Sequence, residues 1–325
     1  MNLWKLSAGT ACVVGKKHVR TDVLPTTAYI MLGAKCRHNC RFCAQARSSA
    51  ARADLLSRVT WPELDGTEAV QAISAAFQAG NLKRACLQVV HSEASWPTSV
   101  RAVEALAQAS DIPVCVASAI DTVEQARELV SRGAERICIA LDAATPAIFH
   151  QVKDGHWQRR WELLHQVAAE LPGRASTHLI VGLGETEEEM IKTIEQCVNK
   201  GIAVGLFAFT PVRGTAWAER RPPAIGQYRR VQIAHFLLQS GCSPDVFRYR
   251  QGTLTGINLP LGELKQLLSA GTAFETSGCP DCNRPYYNER PGGSMYNYPR
   301  RLSRTEAEQA MKESGIVAGL AGAAR

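Results

Sequence analysis

The chain has 325 residues, of which 46% are hydrophobic and 21% charged, and a formal net charge of +7. That composition supports a sizeable buried core and excludes a disordered or low-complexity chain. Lysines and arginines are scattered rather than run together, which suits an acidic partner or substrate better than a nucleic-acid track. The opening "MNLWKLSAGTACVVGKK" has no apolar signal-peptide core, and no apolar run approaches the ~18 residues of a membrane span, so a cytoplasmic, non-membrane protein is expected.

Residues 1–25 read as an N-terminal extension. From residue 26, short β-rich runs alternate with amphipathic stretches. "AYIMLGA" is followed by "GTEAVQAISAAFQAG", "RACLQVVH" by "SVRAVEALAQAS", and "IPVCVASA" by "TVEQARELVSRG". "RICIALD" then precedes "HWQRRWELLHQVAAEL", "STHLIVGLG" precedes "TEEEMIKTIEQCVNKG", and "AVGLFAFTP" closes the series. The long stretches carry apolar residues at i, i+3, i+4 and i+7, and several end at glycine. Strand–helix alternation over so many units predicts a parallel sheet of βαβ repeats. The expected fold is α/β, a partial (β/α)6 barrel of the TIM type over residues 26–240, with chemistry at the carboxyl ends of the strands. The pattern breaks at "ERRPPAIGQ", and a helix over "YRRVQIAHFLLQSG" follows. Residues 241–325 form a C-terminal extension, whose stretch "NRPYYNERPGGSMYNYPRR" reads as loop pinned to a surface or a metal.

Eleven cysteines in a chain expected to be cytoplasmic point to metal ligation, redox chemistry or core packing rather than disulfides. Cys86, Cys115, Cys138 and Cys197 lie within apolar segments and read as small core hydrophobes. Cys36, Cys40 and Cys43 sit within eight residues of "GAKCRHNCRFCAQAR", just after the first repeat strand, and Cys279 and Cys282 form a C-x2-C pair. A closed structural zinc site takes four ligands, whereas three thiolates on one loop leave a position open for a substrate or cofactor.

The C-x3-C-x2-C spacing, with aromatic Phe42 before the last cysteine, resembles the radical S-adenosylmethionine superfamily. The resemblance runs over about residues 26–240. It implies that Cys36, Cys40 and Cys43 hold a 4Fe–4S cluster whose fourth iron binds S-adenosylmethionine, the source of a 5′-deoxyadenosyl radical. "VVHSEA" stands where such proteins read the methionine amino group, which implies a role for Ser92 and Glu93. Asp142 in "CIALDAATPAIF" would hold the ribose hydroxyls, as in biotin-synthase-like members. In "LIVGLGETEEE", Ile180 would line the adenine, and Glu185 would cap the helix that follows.

Biotin synthase holds a second cluster inside its barrel with three cysteines and an arginine. Cys86 and Cys115 agree with that pattern, but "STH" at 176–178 lacks the third thiol, so core packing is the expectation for both. The tail resembles that of biotin-synthase-like proteins acting in pairs as a two-component lipoyl synthase. This implies an auxiliary 4Fe–4S cluster on Cys279 and Cys282, a pair that could otherwise bind zinc with a partner chain or form a redox couple. Cys12, in a segment with no other evident purpose, is the nearest candidate third ligand, and Ser294 is the serine near the pair that would match the displaceable ligand of ordinary lipoyl synthase. The implied reaction is sulfur insertion into an octanoyl group on an acidic lipoyl-carrier protein, with a second radical subunit and a ferredoxin or flavodoxin as possible partners. Alternatives are a biotin-synthase-like enzyme, another radical enzyme with an auxiliary cluster, or a zinc protein binding nucleic acid. The last would need four-ligand sites and a concentrated basic face, and the sequence has neither.

Overall fold

The computed structural model describes residues 3–289 and 292–316. The chain opens with β1 (Leu3–Leu6) and α1 (Ala8–Val13), then enters the first repeat strand, β2 (Thr27–Leu32). A small hairpin of β3 (Leu55–Leu56) and β4 (Val59–Thr60) precedes β5 (Glu63–Asp65). The βα units follow as α2 (Gly66–Gln78), β6 (Arg84–Val89), α3 (Ser95–Ala109), β7 (Val114–Ala117), α4 (Val123–Ser131) and β8 (Ala134–Cys138). They continue through α5 (Pro146–Val152), α6 (Trp157–Glu170), β9 (Ala175–Val181), α7 (Glu187–Asn199) and β10 (Ala203–Ala208). Next come α8 (Ile225–Gln239), a hairpin of β11 (Phe247–Arg250) and β12 (Thr253–Ile257), α9 (Leu261–Leu268) and α10 (Arg304–Ser314).

Helix starts follow their capping chemistry. The Asp65 carboxylate accepts from the first backbone N–H groups of α2, and Thr122 with Gln125 and Thr186 with Glu189 form capping boxes. Pro146 sits in the first turn of α5, where its missing N–H costs nothing.

Six strands, β2, β6, β7, β8, β9 and β10, run parallel in chain order, and β1 and β5 extend the sheet antiparallel beyond β2. This is the expected partial barrel. The N-terminal extension is therefore part of the sheet: Trp4 and Leu6 are buried, and Ser7 caps α1. Side chains alternate along each strand, which puts Tyr29, Cys86 and Cys115 side by side in one interior row.

Six strands do not close a barrel, and β10 ends the sheet. Residues 276–289, which contain no regular helix or strand, cross that opening. Ser277 Oγ accepts from Leu206 N at 2.9 Å, and Arg284 Nη2 donates to Leu206 O at 3.4 Å. Asn288 accepts from Ala208 N at 3.3 Å and donates to Ala208 O at 2.9 Å. On the opposite side Arg284 N donates to the Tyr29 hydroxyl at 2.8 Å, and Thr26 N donates to Asn283 Oδ1 at 2.9 Å. Where the tail passes β10, a Cβ on Gly278 (φ +119°) would lie 3.3 Å from the Gly205 backbone, so both the conformation and the space require glycine.

Arg229 of α8, fully buried, holds the later tail in place. Its guanidinium donates to Glu313, Gln232 and the carbonyls of Met295 and Tyr296. His235 on the same helix is buried with Nε2 unpartnered among the described residues, and burial brings its pKa down to about 4. The unfolded chain binds that proton near pH 6.5. Between these values the unfolded state holds more protons, so stability is lost as pH falls from about 6.5 towards 4. His235→Leu is expected to flatten the pH dependence of urea midpoints across that window, and an unchanged slope would assign the acid sensitivity elsewhere.

Candidate functional site

The loop after β2 carries Cys36, Cys40 and Cys43 at the carboxyl end of the sheet. Its shape is set by backbone bonds: Cys36 N to Gln45 O at 3.0 Å, Arg47 N to His38 O at 2.9 Å, Arg37 N to His91 O at 2.8 Å and Arg41 N to Val152 O at 2.9 Å. The three cysteines line one cavity together with His38, His91, Asp142, Lys153 and His178. Burial pushes the Cys40 thiol up to about 11 and the Cys43 thiol to about 12. Both are protonated until a metal replaces the proton, as coordinated thiols require. Among the described residues no three His, Cys, Asp or Glu side chains converge on a single-ion position. Three thiols on one loop leave a coordination position open, which a closed four-ligand structural zinc site does not.

The other expected residues divide. Asp142 lines this cavity, and its Oδ2 accepts from Lys153 Nζ at 2.7 Å. Its φ of 63° places it in the left-handed region, where the chain breaks off β8 and bridges to β9 at Leu179. Phe42 and Ile180 line an adjoining cavity walled by Phe207, Phe209 and Tyr287, which shares Cys43, Gln88, Asp142 and His178 with the first.

Ser92 and Glu93 fall outside both sets of walls. The chain turns directly into α3 after β6, so Glu93 points outward, 85% exposed, and pairs with Arg37; His91 faces the cavity instead. Glu185 does not cap α7, which Thr186 does. Its buried carboxylate turns back to accept from Gly182 N at 2.7 Å and Leu183 N at 3.0 Å, fixing the loop after β9.

The tail pair corrects the sequence expectation most. Cys279 and Cys282 enter the barrel from its amino-terminal end and share one chamber with Cys86 and Cys115. Cys115 titrates well above the ordinary thiol range: its interaction with Cys279 lowers it, while interaction with Cys86 and burial raise it and prevail. The Cys282 sulfur lies 3.3 Å from the Tyr29 hydroxyl. Cys86 and Cys115 therefore face the tail pair across a shared chamber. Cys12 sits on α1 and lines no part of the chamber, and Ser294 is exposed and also outside it. Cys138 faces the upper cavity, while Cys197, on α7, is buried in the hydrophobic core.

Sequence reasoning also missed Lys153, Gln88 and His178. His178 lines all three chambers, and burial lowers its pKa to about 4, so it is neutral. Inward alternation along "STHLIV" was the available signal.

A parallel partial barrel with three clustered thiols at its carboxyl end defines a class of cluster-dependent radical enzymes. Residues 30–197 match the sequence model described as "Radical SAM superfamily". The chain belongs to that superfamily, and the family implies a 4Fe–4S cluster and S-adenosylmethionine. No curated protein sequence matches the chain. Similar solved structures include methylornithine synthase (PylB), at TM-score 0.51 and 12% identity over 66% of this chain and 62% of that one. The FeFe-hydrogenase maturase HydG from Carboxydothermus hydrogenoformans aligns at TM-score 0.52 and 14% identity, over 89% of this chain and 66% of that one. Another structure of HydG gives 0.53 and 12%, over 79% and 59%. These likenesses establish a common fold, and the chain spans about three fifths to two thirds of the length of those proteins. No helix among the described residues is long and apolar enough to cross a membrane.

Two outcomes are expected. Replacing Cys36, Cys40 and Cys43 with alanine should abolish reductive cleavage of S-adenosylmethionine, read as 5′-deoxyadenosine by chromatography. Asp142→Asn should weaken cofactor binding by roughly 1.5–3 kcal/mol in calorimetry, the value of one charge-assisted hydrogen bond, with iron content unchanged.

Proposed function

We propose that the protein is a radical S-adenosylmethionine enzyme that inserts sulfur into an octanoyl group presented by an acidic lipoyl-carrier protein, alone or with a second radical subunit. The observation that carries the reading is the aromatic-walled cavity between the two groups of cysteines. Its walls include Phe42, Leu56, Ile180, Phe207, Phe209 and Tyr287. It meets the upper cavity at Cys43 and Asp142 and the cysteine chamber below at Gln88, His178 and Phe207. An unbranched acyl chain suits such a slot, because burying it gains about 0.8 kcal/mol per methylene.

When bound, the upper cluster and S-adenosylmethionine supply a radical that takes hydrogen from unactivated carbon, and a lower cluster supplies sulfide. The chain's residues do the positioning. Cys36, Cys40 and Cys43 would hold the upper cluster. Lys153 and Arg160, both in the upper wall, offer cations to the cofactor carboxylate, and Asp142 offers its remaining oxygen to the ribose. Neutral His178 and the amide of Gln88, which accepts from Tyr287 Oη at 3.1 Å, separate the two ends without placing a charge beside the reacting carbon. Exposed Arg159 lines the upper cavity, and exposed Arg41 and Arg47 lie on the cysteine loop, a charge that favours an acidic carrier; electrons would come from a ferredoxin- or flavodoxin-type donor.

The interior position of Cys86 and Cys115 favours one second reading, a biotin-synthase-like enzyme acting on a small free substrate. Mass spectrometry separates the two. Anaerobic incubation with S-adenosylmethionine, a reductant and an octanoyl-lysyl peptide should yield peptide with hydrogen replaced by sulfur. 5′-Deoxyadenosine formation with no sulfur on the peptide, even with a companion subunit present, would sink the octanoyl reading.

A further inference from the structure

The geometry points to a second metal site in the barrel floor: Cys86, Cys115, Cys279 and Cys282 together ligate one iron–sulfur cluster, distinct from the site of Cys36, Cys40 and Cys43. The inference deepens the sulfur-insertion reading by locating its sulfur source, and it rests on that reading only for the fate of the cluster.

Three separate parts of the chain supply the thiols. Cys86 on β6 and Cys115 on β7 are neighbours in register, both reached from inside the barrel. The tail adds Cys279 and Cys282 on one turn, closed by a Cys282 N to Cys279 O bond of 3.2 Å. That turn is fixed on both flanks. Arg84 Nη1 donates to Pro280 O at 3.0 Å, Lys83 pairs with Asp281 at 3.0 Å, and Asn283 Nδ2 donates to Leu24 O at 3.0 Å. So the cysteines are held by structure that does not depend on a ligand.

The surroundings are cationic and incompletely satisfied. Arg84 is 3% exposed and lines the chamber, and its Nε has no partner among the described residues. Arg136 Nε, at the strand position next to Cys115, is buried and equally unpartnered. Arg284 is buried in the same wall, its guanidinium 4.0 Å from the Phe207 ring centroid. Buried guanidinium N–H groups without acceptors are costly, and an anionic all-cysteinate cluster supplies both the acceptors and the compensating charge.

The test uses the full chain, purified and reconstituted without oxygen, with Cys36, Cys40 and Cys43 all changed to alanine so that only the floor site reports. About four irons per chain should remain, with a 4Fe–4S signature in Mössbauer spectra. Adding Cys115→Ser or Cys279→Ser should remove them, and Cys282→Ser, on a turn outside the core, gives the same result where a barrel variant folds poorly. Cys12→Ala and Cys138→Ala should leave the iron in place. The proposal is overturned by an iron-free triple variant, by zinc in place of iron, or by iron that survives loss of these thiols. A floor cluster present in a chain that transfers no sulfur to the octanoyl peptide supports this ligand set and removes only the sulfur-insertion reading.

Discussion

The structure depends on how the open edge of β10 is satisfied. A six-stranded parallel sheet leaves the backbone of its last strand facing an apolar interior, where each unpaired N–H or C=O costs about 1–3 kcal/mol. Among the described residues no seventh strand pairs with Leu206 and Ala208. Side chains do so instead, from Ser277, Arg284 and Asn288 on a segment without regular structure. This explains a tail composition that reads as loop: serine, asparagine and arginine replace a ladder, and Gly278 lets the segment press against Gly205.

Closing the barrel this way gives its interior two ends and a middle. At the carboxyl end the cysteine loop, Asp142 and Lys153 share a cavity; at the other end four thiols and two arginines, Arg84 and Arg284, share a chamber. Between them lies a layer of Gln88, His178 and Phe207, with the His178 ring edge-on to Phe207 at 5.0 Å. None of the three carries a charge, which keeps the partition compatible with an apolar chain. The tail is thus the wall of the barrel and the carrier of Cys279 and Cys282 at once, so barrel closure and assembly of the four-thiol chamber are a single event.

Much of this was legible in the sequence. Period-3.6 and β-rich runs located the six parallel strands and the helices between them, since both patterns report burial directly. The three-cysteine loop was recognisable because its spacing is local. What was not legible is long-range. Cys86 and Cys115 look like core residues along their own strands, and only the docking of residues 279–282 shows what they face. Cys12 was drawn in because β1 and α1 have no partner until β2 is in place. Glu93 was misjudged because a short turn into α3 decides which of three successive residues faces inward, and Glu185 because a carboxylate before a helix serves its own loop as readily as the helix.

The bond from Arg284 N to the Tyr29 hydroxyl joins residues 255 positions apart. Closure therefore follows the pairing of the strands, because contacts of such separation form only after the intervening chain has collapsed. Until then the barrel stands open on one side, with Cys86 and Cys115 reachable from solvent and the edge of β10 bare. That interval is when the chain is most exposed to edge-to-edge association. The arrival of the tail, rather than the pairing of the strands, thus decides when Cys86 and Cys115 leave solvent.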